Sequence, residues 1–142
     1  MEVDGTAGGG MAMVTRESEL MRVLQSLEAA MPRAHWIALV DSDGLPLACV
    51  PENPPVKIDN IAAMSAAAML TGQRVLNETE GGQLRFTTIA GSKRQVLIVT
   101  VDAKRYLAIG LEPDRPSTST FGVLARWVPE ILSIVKKRSM DA

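Results

Sequence analysis

The chain has a single cysteine, Cys49, and a single histidine, His35. One cysteine excludes an intramolecular disulfide. One cysteine and one histidine leave a structural zinc site short of donors. Neither a Ser/His/Asp nor a Cys/His nucleophile set assembles around His35. Cys49 reads as a small core residue of a strand. No catalytic residue, no metal ligand and no cofactor is therefore expected, and the chain does not read as an enzyme. Charge of neither sign dominates, with 15 basic against 16 acidic residues. That excludes a nucleic-acid binder working through a basic surface. Aromatics, at 4% of residues, are too few for base stacking. The basic cluster Lys136-Lys137-Arg138 suits a helix C-terminus. No run is long and apolar enough to span a bilayer, so direct membrane insertion is not expected. The N-terminus lacks a basic-then-apolar leader, and a cytoplasmic location is the expectation.

One segment stands out against this balanced background. From Ile58 to Leu76 the pattern is helical, yet no charge falls between Asp59 and Arg74. A helix with one buried face should be charged on the other. At 100° per residue, Ile58, Ile61, Ala62, Met64, Ser65, Ala68, Met69, Val75 and Leu76 share one broad arc, expected on a sheet. Ala63, Ala66, Ala67 and Leu70 fall opposite, near Asn60, Thr71 and Arg74. Small side chains there let a second helix approach closely.

At 142 residues one domain is expected. Residues 1–14 form a Gly-rich tail without pattern and are expected to be disordered, leaving a domain over 15–138. A first helix is predicted from Glu17 to Met31, capped by Thr15 or Ser18 and stopped by Pro32. Its stripe is Leu20, Val23, Leu24, Leu27 and Met31. Strands follow over His35–Val40 and Leu45–Val50, joined by the turn Asp41-Ser42-Asp43-Gly44. After the charge-free helix, Gly81-Gly82 breaks the chain. Strands Gln83–Ala90, Gln95–Val101 and Tyr106–Leu111 form a meander. A final helix spans Thr120–Lys137, with Ser117–Thr120 at its cap and a kink or break at Pro129.

The order helix, strand, strand, helix, three strands, helix gives an α/β fold. Strands one, four and five are apolar on both faces and belong at the centre. Pro46 places strand two at an edge. The result is one mostly antiparallel sheet ordered 2-1-5-4-3, with helices on both faces; the direction of strand one against strand five stays open. Strand three is the unblocked edge, and such edges invite pairing. An isologous dimer follows, with strand three and the second helix meeting their symmetry mates.

The hairpin Ile37-Ala-Leu-Val-Asp-Ser-Asp-Gly-Leu-Pro-Leu-Ala48, the Ala-rich helix Asp59–Leu76, the Gly81-Gly82 break and the meander together resemble the roadblock (dynein light-chain) family. The resemblance covers about Ser18 to Val135. It implies a profilin-like sandwich that dimerises through the second helix and third strand. It also implies a role with a small Ras-like GTPase, as an activating or scaffolding subunit. The chain departs from the family in Pro129 and in Ala34-His35, where small Gly-containing segments are usual.

The expected dimer interface comprises Ala63, Ala66, Ala67, Leu70, Arg74, Leu84, Arg85 and Phe86. Asn60, Thr71 and Arg74 are the candidate GTPase contacts. Arg74, Arg85 and Arg94 are positioned as possible arginine fingers, although a solvated surface arginine or an allosteric action is the preferred reading. Asp41 and Asp43 lack the further acids of a calcium loop and read as turn formers. Gly81-Gly82 precedes a strand with no Lys-Ser/Thr, so it is no phosphate cradle. The alternative function is a small-molecule-sensing or interaction module without a GTPase, for which Thr87, Thr88 and Thr100 are the only candidate polar residues facing the core.

Overall fold

The computed structural model describes residues 9–141, and side-chain surroundings over 17–137. Its elements are α1 (Gly9–Ala30), β1 (Ala34–Asp41), β2 (Pro46–Val50), α2 (Ile58–Glu78), β3 (Phe86–Ala90), β4 (Gln95–Asp102), β5 (Arg105–Leu111), a 3-10 turn (Ser117–Thr120) and α3 (Phe121–Asp141). The five strands form one sheet in the order β2-β1-β5-β4-β3. Every neighbouring pair is antiparallel, including β1 with β5, which settles the direction left open by the sequence.

The doubly apolar strands sit at the centre because each face receives its own helix layer. On one face Ile37, Leu39, Leu97, Leu107 and Ile109 meet Leu24 and Leu27 of α1 and Leu124 and Ile131 of α3. On the other, Trp36, Ala38, Val40, Ile98 and Ala108 meet Ala62 and Met69 of α2. Three helices therefore divide two against one across the sheet. Trp36 lies flat on β5: a Cβ at Gly110 would stand 2.3 Å from its Nε1.

Several boundaries differ from expectation. α1 begins at Gly9 rather than Glu17, so Thr15 and Ser18 lie within it rather than capping it. Met11, Ala12 and Met13 are compatible with a helix, which propagates readily once formed. Of the expected tail, residues 1–8 lie outside the described residues, and 9–14 are helical. β3 begins at Phe86 rather than Gln83. Leu84 N–H donates to Gln73 Oε1 at 2.9 Å, so this stretch is tied to α2 before the ladder starts. α3 runs unbroken through Pro129. Proline leaves the carbonyl of Ala125 unpaired, and Ala125 and Pro129 are both on the exposed side, where water can reach it. Ser117–Thr120 build a 3-10 turn ahead of α3 rather than a simple cap. Ser117 is buried, its hydroxyl 2.6 Å from that of Thr88.

A candidate interaction surface along α2 and β3

α2 has two faces set by its period. Ile58, Ile61, Ala62, Ser65, Ala68, Met69 and Leu76 turn inward and are buried or half-buried. Asn60, Ala63, Met64, Ala67, Leu70, Thr71, Arg74 and Val75 form the exposed stripe. Met64 and Val75, expected against the sheet, are instead 59% and 55% exposed. They lie more than about 100° from the inward line through Ala62, Ser65 and Met69, so the buried arc is narrower than the hydrophobic residues suggest. The stripe therefore carries three large apolar side chains, with Leu70 at 55%. Ala66, expected opposite the sheet, is half-buried at the margin.

Beside the C-terminal half of α2 runs the outer edge of β3. Among the described residues β3 pairs with β4 alone, leaving its other side without a strand. Phe86 on one face and Ile89 on the other are 37% and 53% exposed. Phe86 meets Phe121 edge-on with centroids 4.8 Å apart. Leu84 is half-buried beneath α2, where a Cβ on Gly72 would lie 3.0 Å from its Cδ2. Gln73 fixes this junction: it accepts from Leu84 N–H and donates to Gly82 O at 3.0 Å and Asn77 Oδ1 at 2.9 Å. That three-way tie was not read from the sequence; the signal was a pair of amides, Gln73 and Asn77, four residues apart in the last turns of α2 before the Gly81-Gly82 break.

The other end of α2 abuts the β1–β2 turn. Gly44 takes φ +90°, and a Cβ there would lie 3.2 Å from the Ala63 Cα. Asp41 organises the turn: its Oδ1 accepts from the N–H of Asp43 and of Leu45, both at 3.0 Å. Asp41 thus serves the turn, as its place before Gly44 suggested. Ser42 N–H donates to Lys104 O at 2.8 Å, locking this turn to the β4–β5 turn.

The three candidate arginines do not converge. Arg74 is exposed on the α2 stripe and Arg85 is exposed before β3. Arg94 lies in the β3–β4 turn, its Nη1 donating to Lys93 O and standing 3.7 Å from Glu112. Glu112 also pairs with His35. Arg33 donates to Asp114 at 2.6 Å, and that hydrogen bond holds the Asp114 carboxyl below its usual range. These contacts rim a cleft of about 210 Å³ floored by Gln95, whose amide donates to the carbonyls of Glu112 (2.8 Å) and Arg115 (2.6 Å). They close the loop before α3. Cys49 is half-buried, and burial first, then the Glu28 charge, pushes its thiol up from the ordinary value. Of the threonines weighed as ligand contacts, Thr88 bonds Ser117 and Thr100 bonds Leu84 O at 3.2 Å. No helix among the described residues is long and apolar enough to cross a membrane.

Comparison with curated protein sequences finds no match. Solved structures do match. A Roadblock/LC7 domain from Streptomyces avermitilis is 16% identical, with TM-score 0.72, over 80% of this chain and 95% of that one. The gliding protein MglB of Thermus thermophilus is 14% identical, with TM-score 0.74, over 86% and 92%. MglB of Myxococcus xanthus is 12% identical, with TM-score 0.74, over 84% and 90%. At these identities the likeness is one of fold. The sequence model of the Roadblock/LC7 domain itself matches residues 22–110, from the middle of α1 to the end of β5. That span holds the hairpin, the charge-free helix and the meander, and this chain belongs to the Roadblock/LC7 domain family.

Proposed function

We propose that this protein is a homodimeric regulator of a small Ras-like GTPase, acting in the cytoplasm as an activating or scaffolding subunit and not as an enzyme in its own right. The observation that carries this reading is the exposed apolar stripe of α2 lying beside the unpaired edge of β3. A protein of 15.2 kDa has little reason to keep Leu70, Val75, Phe86 and Ile89 in water unless another chain covers them. An open strand edge and an apolar helix face are self-complementary about a two-fold axis. The functional unit spans residues 15–138. The seam uses Ala66, Ala67, Leu70 and Arg74 of α2 with Leu84, Arg85 and Phe86 at β3, and Ala63 marks its outer end. Asn60, Thr71 and Arg74 face the GTPase. Membership of the Roadblock/LC7 family supports the choice of partner class, because the resemblance implies a role with small Ras-like GTPases for many bacterial and archaeal members.

The dimer acts allosterically, by holding the switch segments of the GTPase in one conformation. Of the three candidate arginines, Arg94 is held beside Glu112, while Arg74 and Arg85 are exposed and free to be tested as fingers. Single-turnover GTP hydrolysis with Arg74→Ala decides between allostery and a finger. The allosteric reading expects less than about a tenfold change, whereas a finger is worth roughly 10³–10⁵. A loss of that size at unchanged binding contradicts it.

A further inference from the structure

The cleft before α3 lies on the α1 and α3 side of the sheet, the face opposite α2. The end of α1, the start of α3 and the loop between β5 and α3 enclose it. Its floor is apolar. Met31 and Leu111 are both 5% exposed, and Ala30, Pro32 and Val123 stand beside them. One buried polar side chain shares that floor. Gln95 opens β4 opposite Leu111 of β5 and is itself only 5% exposed.

The Gln95 amide is only half satisfied. Its Nε2 donates to Glu112 O at 2.8 Å and to Arg115 O at 2.6 Å. Carbonyls only accept, so the nitrogen must face them and the oxygen must face away. Oε1 accepts from no group among the described residues. No side-chain oxygen among those residues is both unpaired and sealed from solvent, so Oε1 touches open space. The open space that Gln95 lines is the cleft. A buried acceptor without a donor is costly, yet the amide cannot turn over without giving up both carbonyl bonds. Nor would Oε1 alone hold a water well, since a buried water makes about three hydrogen bonds. The cleft therefore presents one fixed acceptor in an apolar recess.

We infer that this cleft binds a small uncharged ring carrying one O–H or N–H donor, of which phenol is the simplest. The ring lies on Met31, Leu111 and Val123, and the donor meets Gln95 Oε1. Size, charge and polarity each narrow the class. The cleft holds about 210 Å³, somewhat more than the roughly 150 Å³ that takes up a benzene ring. Its lining charges cancel, Arg33 and Arg115 against Glu112 and Asp114. Arg33 is spent on Asp114 at 2.6 Å and Glu112 on His35, so neither pair calls for an ion. A few placed polar groups in an apolar recess fix a ligand's orientation, and here the buried one asks for a donor. The inference stands apart from the regulator reading and uses none of its residues.

The experiment titrates the isotope-labelled full chain with phenol and, separately, with toluene, followed by proton–nitrogen correlation spectra. The two probes differ by a hydroxyl in place of a methyl. Toluene is the more apolar and would bind tighter in a merely apolar recess. The expected result is saturable phenol shifts at the amides of Met31, Leu111 and Val123 and at the Gln95 side chain. Toluene is expected to bind at least about tenfold more weakly, the worth of one hydrogen bond. Gln95→Met is expected to remove the preference for phenol. Ala30→Trp, at an exposed lining position, is expected to block both probes. Circular dichroism checks that each variant folds, and Ala30→Trp keeps the Gln95 bonds should Gln95→Met unfold. No saturable phenol shift overturns the inference. So do toluene binding as well as phenol, shifts confined to α2 or β3, a phenol preference that survives Gln95→Met, or phenol binding untouched by Ala30→Trp.

Discussion

Gly110 is confined to glycine by the Trp36 indole lying over it. Alanine there would force the buried ring, 4% exposed, out of place. Gly110→Ala is expected to destabilise the fold by about 1–3 kcal/mol, the usual cost of overpacking, read from urea unfolding. Cys49 tests the local electrostatics. Its thiol is raised by burial and by Glu28, and its Sγ–H donates to Pro51 O at 3.6 Å. Alkylation by iodoacetamide at pH 8 is expected to be slower than for an unfolded control, and Glu28→Gln to recover part of the rate; equal rates would contradict this. Asp114 gives the acid side. Its carboxyl is lowered by Arg33, so its tie stabilises the loop above the ordinary value of 3.8 and is lost as pH falls through the lowered one. Arg33→Ala is expected to flatten the slope of stability against pH in that window.

At the scale of the element, α2 separates two kinds of leucine-sized residue. Met69 is 2% exposed beneath the helix and Leu70 is 55% exposed on its outer stripe. Met69→Ala is expected to cost about 2–5 kcal/mol of folding stability. Leu70→Glu is expected to leave stability within about 0.5 kcal/mol for the isolated protomer and to act on self-association instead. The sequence made much of this visible. Proline at position 46 marked one sheet edge, the doubly apolar strands marked the centre, and the strand order followed. The missing charge between Asp59 and Arg74 marked the helix with a second face. Met64 and Val75 were expected on the sheet because hydrophobicity alone cannot tell a core-facing residue from an exposed one; only the helix's rotation on the sheet distinguishes them. The shortened β3 was illegible for a different cause. Leu84 and Arg85 alternate as a strand would, but Gln73, eleven positions earlier, claims the Leu84 N–H. The unbroken α3 depended on Ala125 facing water, which is a tertiary fact.

For the whole molecule, the division of helices two against one favours the proposed dimer. α1 and α3 together cover one face of the sheet. α2 alone serves the other, crossing obliquely and leaving Ile89 of β3 exposed on that side. A symmetry mate joined at β3 brings a second α2 to the same face and restores the balance. In the proposed complex the GTPase meets a surface built from both protomers, so a variant locked as a monomer is expected to lose its effect on GTP hydrolysis. The most direct measurement is the solution mass of the full chain at micromolar concentration, by sedimentation or light scattering. The account predicts twice 15.2 kDa for the wild type and a single 15.2 kDa chain, still folded, for Leu70→Glu. A folded wild-type monomer, or a Leu70→Glu protein that keeps the wild-type mass, would contradict it.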